Sequence, residues 1–239
     1  MKIAVISDIH SNHYALKAVL KEIDQEEIDA IVCTGDIVGY LTNPNEVIEM
    51  IRQRHILAIQ GNHDQYISTL DTLNENEFEA LETSQIQASA SAIYTNYVLD
   101  DAKRKYLKNL PKRIEITINQ FKILFVHGSP RTIDEYMRED SENLEEILNL
   151  VDHNVVVSGH THIPFWKEVG GKHAINAGSV GKPKHGNSNA TYIIMHIFDD
   201  GLNVEIKEVE YEVARMTQDI LNNKYIPNEL VESIDPKSS

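Results

Sequence analysis

The chain has one cysteine, no long apolar run and a shortage of basic residues, and each deficit narrows what the protein can be. Cys33 sits inside the apolar run AIVCTG, so it reads as a small buried packing residue, neither a metal ligand nor half of a disulfide. No stretch approaches the ~18 apolar residues needed to cross a bilayer. The N-terminus enters a strand by Lys2 without a basic-then-apolar leader. The expectation is a cytoplasmic protein with no membrane partner. Lys and Arg number 22 against 37 Asp and Glu, a net charge of −15, which argues against binding extended nucleic acid. A small anionic substrate stays compatible with that charge where bound dications dominate the local field. No internal repeat or low-complexity tract is present, and Gly178 to Lys182 lacks the full G-x-x-x-x-G-K-[ST] of a P-loop.

What is present is an alternation of strands and helices over a length, 239 residues, that one core can serve, so a single domain over 1–239 is expected. Ala15, Leu16, Val19, Leu20 and Ile23 recur at helical spacing between Asn12 and Asp24. Asn43-Pro44 marks the start of a second helix carrying Val47, Ile48 and Ile51. From about 65 to 111 no strand signal is read, and two or three helices are expected as an insertion, a cap that shapes the substrate mouth. Ser141 is expected to cap a helix with Leu144, Ile147 and Leu148. HAINAGSV, TYIIMHIF, an Asp200-Gly201 turn and NVEIKEVEY give a β-rich last third. A closing helix carries Val213, Met216, Ile220 and Leu221, with fraying expected after Ser233.

Five apolar runs each end in metal-ligand residue types: Asp8 and His10, Asp36, Asn62-His63-Asp64, His127, and His160 with His162. In open α/β sheets ligands collect outside the carboxyl ends of strands, so these clusters are expected on one rim. Carboxylate and imidazole without thiolate suit Mn, Fe, Zn or Co better than Ca. Members of each x-spaced pair, Asp8/His10 and His160/His162, are expected to face one centre, and Asp36, with two oxygens, to bridge two metals. Two cations ~3.5–4 Å apart generate a hydroxide at neutral pH and clamp an in-line displacement at phosphorus.

In these residues the chain resembles the calcineurin-like metallophosphoesterases, whose pattern D-x-H, G-D, G-N-H-[DE], H, G-H-x-H it matches in order from Asp8 to His162. INAGSVGKPKHGNSNATYII extends the resemblance toward the small bacterial and archaeal phosphodiesterase branch. The resemblance implies an α/β fold, a four-layer α/β/β/α sandwich, here with the helical insertion, and two divalent ions, Mn and/or Fe, with Zn, Co and Ni compatible. It places Asp8, His10 and His162 on the first metal, Asn62, His127 and His160 on the second, and Asp36 between them. His63 would stand beside the phosphate as electrostatic stabiliser or general acid. Protein phosphatases of this superfamily carry G-D-x-x-D-R-G, whereas this chain reads Gly35-Asp36-Ile37-Val38-Gly39-Tyr40 and lacks both the second Asp and the Arg. Tyr40 and Thr42-Asn43-Pro44 are similar to the branch of small phosphodiesterases and asymmetric diadenosine tetraphosphate hydrolases.

Expected substrate contacts are Asn62, His63, Tyr40 and Arg131, the last because a guanidinium fork matches phosphate oxygens. The activity expected is a phosphodiesterase on a small nucleotide-type phosphoester, using a hydroxide held between the metals, with Asp36 and His63 as its catalytic residues. A phosphomonoesterase or asymmetric dinucleoside polyphosphate hydrolase is the alternative, and a non-catalytic scaffold on the same fold the reading from another class. The residues leave monomer and oligomer both open.

Overall fold

The structure, a computed structural model, describes residues 1–235. The chain runs β1 (Lys2–Ile6), α1 (His13–Ile23), β2 (Ala30–Cys33), α2 (Pro44–Gln53) and β3 (Leu57–Ala58). Five helices follow, α3 (Asn62–Thr69), α4 (Glu75–Glu79), α5 (Thr83–Ala88), α6 (Ala92–Val98) and α7 (Asp101–Lys108). Then come β4 (Ile114–Ile118), β5 (Phe121–Phe125), α8 (Leu144–Asn149), β6 (Val155–Ser158), β7 (Phe165–Val169) and β8 (Lys172–Asn176). The last elements are β9 (Ala190–Ile197), β10 (Leu202–Val209), α9 (Val213–Asn222) and α10 (Leu230–Ile234).

Two five-stranded sheets result, in the orders β10-β9-β1-β2-β3 and β4-β5-β6-β8-β7. Their inner faces meet through Ile3, Val5, Ile193 and Met195 of the first sheet and Phe125, Val155, Val157 and Ile175 of the second. On the outer face of the first sheet, Leu16, Val19 and Leu20 of α1 and Val47, Ile48 and Ile51 of α2 are buried. On the outer face of the second lie Leu144, Ile147 and Leu148 of α8. Helix, sheet, sheet and helix thus form four layers, the architecture the resemblance implies. In each sheet three neighbouring strands are parallel: β1, β2 and β3 in one, β5, β6 and β8 in the other. Their carboxyl ends therefore share an edge, and the helices that cross between them leave that edge to loops.

The helical stretch differs from its expectation in number and placement. Five short helices begin already at Asn62, and they do not stand apart from the core. Ile67, Ala92, Leu99 and Leu107 are fully or almost fully buried in the same cluster as α1 and α2. The strands β4 and β7, unread in sequence, are both edge strands, whose one-sided burial gives weak signals. In β4 the alternation of Ile114, Ile116 and Ile118 carries that signal. Asn143, not Ser141, stands at the N-cap of α8, and the Ser141 hydroxyl instead accepts from the Arg138 N–H. Past Ser233 the chain is still helical at Ile234, which is buried against Leu41 and Met216; 236–239 lie outside the described residues. Leu221, expected on the apolar stripe of α9, is half exposed. Among the described residues no helix is long and apolar enough to cross a membrane.

Candidate metal centre

The backbone turns sharply where the candidate ligands sit. Asp8, His10, Asp36, His160 and His162 all have φ between 47° and 65°, the left-handed region that residues with a Cβ seldom enter. Such strain costs ~1–3 kcal/mol per residue and persists only where surrounding contacts over-determine it. Here they do. Asp8 N–H donates to Gly35 O (3.0 Å), Ile9 and His10 N–H both donate to Asp36 O (2.9 and 3.0 Å), and Gly181 N–H donates to Asp8 O (3.0 Å). Gly35 itself has φ 102°, and a Cβ there would lie 2.6 Å from the Gly61 nitrogen. The three loops after β1, β2 and β3 are thereby locked together at one point.

Two clusters follow. In the first, Asp8 Oδ1 lies 3.3 Å from His162 Nε2 and 3.7 Å from His10 Nε2, and the two Nε2 atoms are 3.2 Å apart. His10 Nδ1 is 3.3 Å from Val38 O and His162 Nδ1 2.5 Å from Lys182 O. Carbonyls only accept, so each Nδ1 carries a proton and each Nε2 is turned inward. Asp8 Oδ1 is buried without a hydrogen-bond partner. Three acceptors converging with no donor between them fit a cation.

The second cluster joins Asp36, His127 and His160, whose donor atoms lie within 4.8 Å of one another. His127 Nδ1 is fixed by Thr34 O at 2.8 Å, which aims Nε2 at Asn62 Oδ1 (2.9 Å) and Asp36 Oδ2 (3.4 Å). His160 is reversed: its Nε2 is 3.0 Å from Asp134 O, leaving Nδ1 as the inward donor. Such outer partners fix the tautomer of a metal-binding imidazole. Each cluster mixes residues that follow strands of both sheets. His160 and His162, two apart in sequence, therefore face different clusters and not one, because their rings are anchored in opposite senses, His160 through Nε2 on Asp134 O and His162 through Nδ1 on Lys182 O.

Asp36 also departs from its expectation of two free oxygens. Its Oδ1 accepts the His63 backbone N–H at 2.8 Å, so only Oδ2 stands between the clusters, 3.7 Å from His10 Nε2 and 3.4 Å from His127 Nε2.

The electrostatics suit a site that binds positive charge. Burial works against ionising Asp8, yet His162 and His127 hold it well below the usual carboxylate range. Asp36 is likewise held low, against burial, by His127 and His10. Burial pushes His10, His63 and His160 down, toward the neutral imidazole that donates a lone pair. His127 is the exception: burial opposes its charge, but Asp36 and Asp8 raise it to about 9. A metal ion at that point supplies the positive charge in place of the proton.

His63 lies beside both clusters, its ring centroid 5.1 Å from that of His10, and it forms a third compact group with His10 and Asp36. Tyr40, also left-handed at φ 57°, packs at 4.5 Å from the His63 ring and 4.8 Å from His10. Its N–H donates to Ala90 O (3.2 Å) and its carbonyl accepts from Ser91 Oγ (2.7 Å), so the turn between α5 and α6 holds it in place. Arg131 lies apart from the clusters. It lines a cavity of about 470 Å³ beside His127, with Gln65, Lys112 and Arg113, but its guanidinium is bound by Glu135 (Nε to Oε2, 3.0 Å) and Glu146 (3.4 Å).

Two positions carry more than the motif suggested. Asp64 is buried and accepts from Gly61 N–H (3.0 Å) and Val38 N–H (3.1 Å), stapling the β2 loop to the start of α3; its place in G-N-H-D was the available signal. Ser7 Oγ donates to Asp8 Oδ2 (2.6 Å), which also accepts His160 N–H (2.8 Å), leaving Oδ1 as the inward oxygen.

The calcineurin-like phosphoesterase superfamily domain matches residues 1–200. The chain belongs to this family. A metallophosphoesterase from Sphaerobacter thermophilus has 29% identical residues and superposes with a TM-score of 0.80, with 98% of each chain covered. A hypothetical protein from Pyrococcus horikoshii OT3, 25% identical, gives a TM-score of 0.84 over 98% of this chain and 97% of that one. In sequence, the chain is 36% identical to an uncharacterized protein of Methanocaldococcus jannaschii, over 93% of both. Calcineurin-like phosphoesterases use divalent metal ions, and the clustered donors described above are of the type such ions require.

Proposed function

We propose that this phosphoesterase is a two-metal phosphodiesterase acting on small nucleotide-type substrates, with the whole chain serving as one catalytic domain. The observation that carries this reading is Asp36 Oδ2, set between two groups of inward-facing acceptors. Asp8, His10 and His162 would hold one ion, Asn62, His127 and His160 the other, and Asp36 Oδ2 both. The mixed nitrogen and oxygen donors favour Mn or Fe. When bound, such ions supply an activated water and neutralise phosphoryl charge.

The protein's own part is positional and acid–base. The locked loops hold the donors at fixed separation, so little reorganisation accompanies the reaction. His63 stands where a phosphoryl group would meet both clusters, and it would stabilise the phosphate or pass a proton to the departing ester oxygen as the phosphorus–oxygen bond breaks. Tyr40 forms one wall beside it. Arg131 would meet phosphate only after giving up Glu135.

A panel of monoesters, diesters, cyclic nucleotides and dinucleoside polyphosphates, assayed with Mn and read by phosphorus NMR, tests the reading. Turnover of diesters above monoesters is expected. Faster turnover of monoesters or of dinucleoside polyphosphates would replace the diesterase assignment. No turnover of any ester by a fully metal-loaded chain would favour a binding scaffold.

A further inference from the structure

The loop after β8 holds a cation that the reading above leaves unused. Lys182 is half-buried, and its ammonium lies 4.7 Å from the centroid of the Tyr40 ring. No carboxylate pairs with it among the described residues, although the chain carries 37 acidic residues to choose from. Withdrawing an ammonium from water without an anion is unfavourable, and an aromatic face offsets only part of that cost. Most surface lysines avoid the situation by extending into solvent.

The backbone beneath this side chain is fixed to the metal rim. Lys182 N–H donates to Ser179 Oγ (2.9 Å), and Ser179 Oγ donates to Asp8 O (2.7 Å). Lys182 O accepts from His162 Nδ1, and a Cβ at the preceding Gly181 would lie 1.8 Å from Ile9 O. The main chain therefore cannot drift from the candidate ligands, and the four-carbon side chain reaches the Tyr40 ring from a fixed base. Tyr40, on which the ammonium rests, is held from the other side by Ala90 and Ser91 and borders both His10 and His63.

We propose that Lys182 is a substrate-binding residue that pairs with a second phosphate, adjoining the one being cleaved, and so favours nucleotides bearing a diphosphate or longer chain. The inference rests on the phosphoesterase reading for which phosphate is cleaved. Two ions and His63 already serve the reacting phosphoryl group, so a further cation at the edge of the site matches an anion next to it. The Tyr40 face stores the ammonium until that anion arrives.

Calorimetric titration of the Mn-loaded protein with ADP and with AMP tests this directly, since the two differ by one phosphate. The wild type is expected to bind ADP more tightly. Lys182→Met, which keeps the aliphatic stem, should weaken ADP by ~10-fold or more and AMP far less, in line with loss of a charge-assisted pair. Lys182→Arg should recover most of the difference. Equal weakening of both nucleotides, loss of metal from Lys182→Met, or no change in either titration would overturn the proposal. A wild type that hydrolyses no ester but shows the Lys182-dependent ADP preference would remove the hydrolase reading and, with it, the cleaved phosphate as neighbour, while upholding Lys182 as the residue that selects a diphosphate.

Discussion

The His63 backbone N–H and Asp36 Oδ1 are joined at 2.8 Å, and this bond decides which oxygen of Asp36 faces the two donor clusters. One residue of the G-N-H-D segment thus orients the residue proposed to lie between two ions. The same bond makes the outcome of an isosteric substitution specific.

In Asp36→Asn the amide oxygen can keep the His63 N–H bond, which turns the amide NH₂ toward His10 and His127. Two hydrogen-bond donors then face the place where cations would sit. The variant is expected to fold, to hold fewer ions per chain and to lose turnover in step with metal. Elemental analysis alongside a turnover assay checks this, and two tightly held ions with near-normal turnover would remove Asp36 from its bridging position.

His63→Gln should keep its backbone bond to Asp36 and therefore both ions, while turnover on substrates with poor leaving groups falls by roughly 10²–10⁴. With p-nitrophenolate, which departs without a proton, the loss should be smaller. Equal losses across leaving groups would assign His63 to electrostatic stabilisation of the phosphate and not to proton donation.

Leu107 of α7 is fully buried in the cluster shared with α1, α2 and β1. Leu107→Ala should cost ~2–5 kcal/mol of stability, the range for a large-to-small change in a packed core. Chemical denaturation of the metal-free protein measures this. A cost below ~1 kcal/mol would show that the 62–108 helices form a separable unit after all.

The candidate ligands were legible because each is a motif residue at the end of a parallel strand, and strand ends are marked by apolar runs meeting Gly and Asp. Helices α1 and α2 were legible from their stripes and from Asn12 and Asn43 at their starts. What sequence could not supply was direction. The spacing of His160 and His162 suggested one centre and only the resemblance separated them; the physical cause, ring anchoring on Asp134 O and Lys182 O, is not encoded in spacing. The oxygen that Asp36 presents is set by His63 N–H, and the role proposed for Lys182 follows from its proximity to Tyr40, 142 residues earlier in the chain. Edge strands β4 and β7 and the short α4 and α5 were faint for another reason: half-exposed or five- and six-residue elements carry too little periodicity to stand out.

Because each cluster takes donors from both sheets, neither half of the sandwich can assemble a binding site by itself. Ions that bind the docked pair and not its parts shift the folding equilibrium toward docking, in proportion to the logarithm of metal concentration. Metal availability would then govern how long the folded chain survives as well as how fast it works. The centre would act as a rivet through the two sheets, and chelation would loosen the seam between β1 and β6 before it disturbed either outer helical layer.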